Sequence, residues 1–209
     1  MNKIIKELKH HMPFTAIGAV LGLFFMIIFR NMPKERAHEM FYVFHPLHVL
    51  LSALVTASLF HLHTCPKGEG KRCNLPVLFV IGFVGAIGVS TLSDSLLPFL
   101  GETLLNMPHR QEHIGFLEHG WLISGMACIG VIIAYFNPMT KFPHAGHVLI
   151  STWASIFHVL MAKGANMSLL AYVAIFVFLF ISVWLPCCIS DIVFPMLFVK
   201  NKDEKTQCH

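Results

Sequence analysis

Charged residues are scarce in this chain. Asp, Glu, Lys and Arg together make up 12% of its 209 residues, whereas hydrophobic residues make up 56%, and the mean hydropathy is +0.68. So little charge excludes an ordinary soluble domain and predicts a polytopic protein of the lipid bilayer. The net charge of +4 is spread over loops and tails without a long basic run, so we expect no nucleic-acid partner.

Several catalytic signatures are also missing. The sequence has no Walker motif, no Gly-x-Ser-x-Gly elbow and no His-Glu-x-x-His motif, which removes support for ATP hydrolysis and for the familiar hydrolase sites. Its six cysteines do not indicate a disulfide framework. The first apolar run lacks a small-residue cleavage site, so it is interpreted as a retained span rather than a signal peptide.

The sequence contains six apolar segments long enough to cross a bilayer core, which takes roughly twenty residues, and the third and sixth segments are longer than that. They cover residues 12–30, 41–62, 75–100, 114–136, 145–162 and 167–199. The predicted fold is an all-α integral membrane protein with six transmembrane helices. Pro98, Pro186 and Pro195 predict kinks or breaks in the third and sixth segments. More of the basic residues lie on the side of the two termini, so the positive-inside rule predicts that both termini are cytoplasmic.

A pattern of His, Ser and Asp occurs twice in these segments. Residues 45–52 read His-Pro-Leu-His-Val-Leu-Leu-Ser, and residues 144–151 read His-Ala-Gly-His-Val-Leu-Ile-Ser. Ala-Ser-x-Phe-His then occurs at 57–61 and 154–158, and Ser-Asp followed by Pro occurs at 93–98 and 190–195. Because the matches keep their order and lie 97 to 99 positions apart, we infer two three-helix repeats, residues 1–105 and 110–209.

The odd number of spans in each repeat has a topological consequence. The second repeat must enter the membrane from the side opposite to the first, so the two halves are predicted to be inverted repeats. This architecture is typical of secondary transporters, in which the halves exchange roles between outward-facing and inward-facing states. It favours a carrier over an enzyme.

The duplicated residues have the chemistry of metal ligands. Two histidines three positions apart project from one helix face and can bind one ion. Imidazole with carboxylate suits Zn, Ni, Co, Fe or Mn, with zinc the first expectation. The ligands expected at the external face are His45, His48, Asp94, His119 and His158. Those expected at the cytoplasmic face are His11, His61, His144, His147 and Asp191. The residues expected to orient them are Ser52, Ser93, Ser151, Ser190 and Glu118.

The leading hypothesis is a membrane carrier for a divalent transition-metal ion. Coupling to protons is a natural extension, because histidines must lose protons to bind metal. His45 and His144 would lie about 24 Å apart along the bundle, so two separate sites fit more easily than one shared site. A homodimer is a further expectation, since six short spans make a small bundle.

Other interpretations of the same residues remain open. The duplicated polar residues could hold helices together by hydrogen bonds. A membrane-embedded metal-dependent hydrolase is opposed by the retention of both copies, since an enzyme needs only one complete site. A haem protein with axial histidines leaves one histidine of each pair unexplained. Single histidines near segment boundaries, namely His38, His109 and His113, are interpreted as interfacial residues.

Overall fold

All of the regular secondary structure described for this chain is helical. The structure is a computed structural model that describes residues 2–64, 74–139, 141–163, 168–188 and 194–198, with the side chains in these ranges except those at 2–14, 141–145, 169, 187–188 and 195–196. Its helices are α1 (Asn2–Ile28), α2 (Lys34–Thr64), α3 (Leu75–Thr91), a π turn (Leu92–Leu96), α4 (Leu97–Leu104), α5 (Gly115–Glu118), α6 (Gly120–Phe136), α7 (Lys141–Ala162), α8 (Leu169–Cys188) and α9 (Phe194–Leu197). The predicted all-α class is therefore confirmed.

A helix lies at each of the six predicted segments, with two differences in detail. The fourth segment is interrupted at His119, which has a non-helical backbone (φ −133°, ψ 51°) and separates α5 from α6. The third segment continues past Pro98 to Leu104, and the irregularity there is the π turn that precedes the proline. The sixth segment contains α8 and α9, and residues 189–193 between them lie outside the described residues.

Two helical stretches are long and apolar enough to cross a membrane. They are Lys34–Thr64 and the continuous run Leu75–Leu104, which joins α3, the π turn and α4. Four shorter apolar stretches lie within α1, α6, α7 and α8. Large apolar side chains also cover outer helix faces, among them Ile17, Phe24, Val80, Val84, Ile132 and Val173.

The central helices α2 and α7 cross each other in opposite directions. Phe41 near the start of α2 packs against His158 near the end of α7, whereas His48 further along α2 packs against His147 near the start of α7. Around this pair, α2 contacts α3 and α6, and α3 and α6 contact each other. In the same way, α7 contacts α8 and α1, and α8 and α1 contact each other. The three pairings among α2, α3 and α6 thus match the three among α7, α8 and α1.

Glycines allow the closest approaches between these helices. A Cβ added at Gly130 of α6 would overlap the Leu50 carbonyl oxygen of α2 and lie 2.8 Å from Ala53 Cβ. A Cβ added at Gly22 of α1 would overlap the side chain of Ile156 in α7. Small residues at such crossings let helix backbones approach, as is common in membrane bundles.

The apolar core has two main parts with polar residues between them. One cluster of buried side chains joins α1, the start of α2, α7 and α8, and another joins α2, α3 and α6. Fully buried polar side chains lie on the faces of α2, the π turn and α7 that meet in the bundle; they are His45, His48, Ser52, Ser93, Asp94, His147, Ser151 and Ser155. Burying so many polar groups is costly unless they bind one another or a ligand.

Candidate functional site

The π turn places Asp94 inside the bundle. Its defining hydrogen bond runs from Leu97 N–H to Leu92 C=O, five residues back. In this register the donor to the Ser93 carbonyl would be residue 98, which is proline and has no N–H. The Ser155 hydroxyl of α7 donates to that carbonyl instead, at 3.0 Å. Such π turns within α-helices often occur at functional sites, and here the Ser155 hydrogen bond joins the helical run Leu75–Leu104 to α7.

Four side chains donate hydrogen bonds to the Asp94 carboxylate. His45 Nδ1 and His48 Nδ1 lie 2.9 and 2.7 Å from Oδ2. Ser93 Oγ and Ser151 Oγ each donate to Oδ1 at 2.7 Å. The Asp94 side chain and both imidazoles have no exposed surface. A carboxylate with four donors is the arrangement that makes burial of a negative charge tolerable.

These hydrogen bonds fix the orientation of the His45 ring. Because Nδ1 faces the carboxylate, Nε2 points away from it, as in metal sites where a carboxylate orients a ligand histidine. His45 Nε2 has no hydrogen-bond partner among the described residues. The ring stacks on Phe41, with centroids 5.0 Å apart, and a Cβ added at Gly115 would lie only 2.6 Å from Nε2. The contacts with Phe41 and Gly115 thus fix the position of His45 Nε2, a nitrogen that has no hydrogen-bond partner among the described residues.

The second copy of the repeat contributes directly to this centre. His147 stacks on His48 with ring centroids 5.3 Å apart and planes within 7° of parallel, and Ser151 lies one helical turn further along α7. The sequence-based expectation placed His48 and His147 at opposite membrane faces. They meet instead because α2 and α7 cross at these positions. We refer to Asp94, His45, His48, His147, Ser93 and Ser151 as the Asp94 centre.

A second buried pair lies on the other side of Phe41. His158 Nδ1 is 2.7 Å from Glu102 Oε1, and neither side chain is exposed. The Phe41 ring lies between this pair and His45, with centroids 5.5 Å from His158. His158 therefore does not join the Asp94 centre. The sequence analysis did not predict Glu102, because this residue has no counterpart in the second repeat. A carboxylate within an apolar segment is costly, and this alone could have marked Glu102 as a candidate.

The structure describes only some of the remaining predicted residues. His61 is half-buried near Tyr135, with ring centroids 6.2 Å apart, thirteen positions beyond His48. Ser52 is fully buried, and its hydroxyl has no partner among the described residues. The side chains of His11 and His144 lie outside the described residues, as do Ser190 and Asp191.

Glu118 and His119 lie in the loop region at one end of α2. Glu118 accepts a hydrogen bond from the Tyr42 hydroxyl, and the His119 ring packs edge-on against Tyr42 with centroids 4.5 Å apart. His113 Nδ1 lies 3.1 Å from Glu118 Oε1. Burial lowers the pKa of His113 below its usual value, although the neighbouring Glu118 acts in the opposite direction. These residues form a polar surface above the buried centre.

The Asp94 centre combines imidazole, carboxylate and hydroxyl groups in one buried place. Imidazole and carboxylate are suitable ligands for borderline transition metals, and each can exchange a proton when an ion binds or leaves. Comparisons of the chain with family models, with curated proteins and with solved structures found no match.

Proposed function

We propose that this protein is an integral membrane carrier for a divalent transition-metal ion of the Zn, Ni, Co, Fe and Mn class, with zinc as the first candidate substrate. The observation that carries the proposal is the buried Asp94 carboxylate, which is held by His45 and His48 from one copy of the repeated motif and by Ser151 from the other. An intramembrane carboxylate paired with histidines is a recurrent feature of ion and proton pathways.

The location in a membrane is supported by the two long apolar stretches and by the apolar side chains on outer helix faces. A soluble bundle would present charged side chains at such positions. The proposed topology has six spans with both termini in the cytoplasm. Its orientation depends on the distribution of basic residues in the sequence.

An inverted-repeat architecture is supported by the helix packing. The pairings of α2 with α3 and α6 match those of α7 with α8 and α1, as two repeats related by a two-fold axis require. His48 and His147 occupy the same position in the two copies and contact each other, so the proposed axis passes between them. Secondary transporters often bind substrate near such an axis.

The proposal therefore has one central site rather than two distant ones. Asp94 with Ser151 would serve in one state of the carrier. By the repeat, Asp191 with Ser52 would serve in the other. Asp191 lies outside the described residues, so its role depends on the sequence duplication alone. Ions would be exchanged for protons, because the imidazole nitrogens must be unprotonated to bind metal.

The geometry favours a carrier over the two alternatives. A hydrolase needs a metal that is open to a large substrate, whereas His45, His48, Asp94 and His147 have no exposed surface. A haem between the two facing histidines would need space for a porphyrin. The His48 and His147 rings stack directly on each other instead.

Transport by the purified full-length chain in liposomes tests the proposal. Wild-type protein should move Zn²⁺, Ni²⁺, Co²⁺ or Mn²⁺ down a gradient, with an opposing proton flux, and His48→Ala should reduce this movement strongly. His63→Ala is the matched control on the same helix, because His63 is exposed and its Nδ1 bonds only the backbone of its own helix. Failure of the wild-type protein to move any of these ions, or full transport by His48→Ala, would refute the assignment.

A further inference from the structure

A second group of side chains of the metal-ligand type lies near the N-terminal end of α2. His38 comes from the second turn of α2, His113 from the loop after α4, and Glu118 from the end of α5. One ligand atom from each lies within 4.8 Å of the other two. Within the described part of the chain, this is the one group of three His, Cys, Asp or Glu residues that meets this distance. We refer to it as the loop cluster.

The spacing of the loop cluster is close to that of a tetrahedral zinc site. His113 Nδ1 and Glu118 Oε1 are 3.1 Å apart, and His38 Nε2 and Glu118 Oε2 are 3.9 Å apart. Metal–ligand bonds of about 2.0–2.1 Å in a tetrahedron place neighbouring ligand atoms about 3.3 Å apart. Small side-chain movements would therefore bring three ligands onto one ion.

The surroundings hold the ligands in place and keep the cluster open. The Tyr42 hydroxyl donates to Glu118, and the Tyr42 ring packs against His38 with centroids 4.8 Å apart. A hydrogen-bonded carboxylate is a common support of metal sites. The side chains of His38, His113 and Glu118 are 38%, 14% and 34% exposed. An ion could thus bind from solvent and complete its coordination with water.

We propose that His38, His113 and Glu118 form a second, solvent-open binding site for a divalent transition-metal ion. Two histidines and one glutamate are the protein ligands of one well-known class of zinc site that keeps a position open. This assignment replaces the interfacial interpretation of His38 and His113. It concerns a site separate from the Asp94 centre, since Phe41 and Tyr42 lie between them on α2.

The position of the loop cluster suggests its role. His38, Phe41, His45 and His48 follow one another at helical spacing on one face of α2, and His38 and His45 are about 10 Å apart along the helix. The His113 backbone N–H also donates to His158 Nε2 at 3.5 Å, which links the loop to the buried Glu102 pair. In the proposed carrier, the loop cluster would bind ions from solvent before they reach the Asp94 centre. This role, unlike the binding itself, rests on the proposed carrier function.

Binding of Zn²⁺ to the purified full-length protein in detergent tests the site. Equilibrium dialysis with elemental analysis should show that His113→Ala and Glu118→Gln each lose one bound ion relative to the wild type. Tyr42→Phe should retain the ion with roughly tenfold weaker affinity, as expected when a supporting hydrogen bond is removed. His109→Ala is the matched control, because His109 is an exposed histidine of the same loop and should leave binding unchanged.

The outcomes separate this site from the carrier proposal. Unchanged Zn²⁺ stoichiometry in His113→Ala, Glu118→Gln and a third variant, His38→Ala, would overturn the site. Thermal unfolding of each variant tests whether the variant that has lost an ion is still folded. The fold of His38→Ala is expected to be the least disturbed of the three, because His38 is half-exposed. If the wild type moves no metal but these variants still lose an ion, the carrier function fails and the site stands. His48→Ala should keep the ion of the loop cluster.

Discussion

The imidazole rings of His48 and His147 lie face to face, with centroids 5.3 Å apart and planes within 7° of parallel. Each is the second histidine of its copy of the repeated motif. In a pair of inverted repeats, only residues on the two-fold axis can contact their own counterparts. If the halves are the inverted repeats proposed above, the axis that relates Asp94 and Ser151 to Asp191 and Ser52 passes through this contact.

A shared centre predicts that the two histidines act as one unit. His48→Ala and His147→Ala should each reduce metal uptake into liposomes strongly, and the double variant should be no worse than the more severe single variant. Residues in contact generally show such non-additive effects, whereas distant residues add. If the fold reductions in metal uptake of the two single variants multiply in the double variant, the two histidines belong to separate sites.

Asp94 should contribute more to stability than any one of its donors. In Asp94→Ala, the Ser93 and Ser151 hydroxyls keep other acceptors, whereas the Nδ1–H groups of His45 and His48 lose the carboxylate to which they donate. Each buried donor left unpaired costs about 1–3 kcal/mol, so a loss of several kcal/mol in the free energy of unfolding is expected. Ser151→Ala removes one donor of four and should cost about 1 kcal/mol. Denaturant titration in detergent would measure both, and equal losses would contradict the network.

The sequence predicted part of this site because the relevant information is local. Helical spacing places His45 and His48 on one face of α2, and the apolar lengths place Asp94 in the neighbouring span. Both follow from residue order. The pairing of His48 with His147 depends instead on where two distant helices cross, which no local pattern specifies. The π turn was also missed, because Pro98 predicts an irregularity without indicating which hydrogen-bond register absorbs it.

The Gly115 backbone should control the position of the His45 ring. A Cβ at this position would lie 2.6 Å from His45 Nε2, so Gly115→Ala must displace the imidazole or the start of α5. We expect metal uptake to fall by about tenfold or more, since metal sites respond strongly to changes in the residues that orient their ligands. Gly120→Ala is the control, because a Cβ there meets nothing within 4 Å. Equal uptake by both variants would show that the orientation of His45 does not matter for transport.

Gly125 and Gly130 of α6 should respond to alanine in opposite directions. At Gly130 a Cβ would overlap the Leu50 carbonyl oxygen and lie 2.8 Å from Ala53 Cβ. The helices must then separate, at a cost of roughly 1–3 kcal/mol for an overpacked contact. At Gly125 a Cβ meets nothing within 4 Å, so Gly125→Ala should be neutral or stabilise by up to about 1 kcal/mol through helix propensity. Thermal unfolding of both variants measures the difference.

The α2–α6 crossing also positions α2, which contributes His45 and His48 to the Asp94 centre. If this centre binds metal as proposed, Gly130→Ala should therefore weaken that binding. A stable Gly130→Ala variant would mean that α6 does not pack closely against α2.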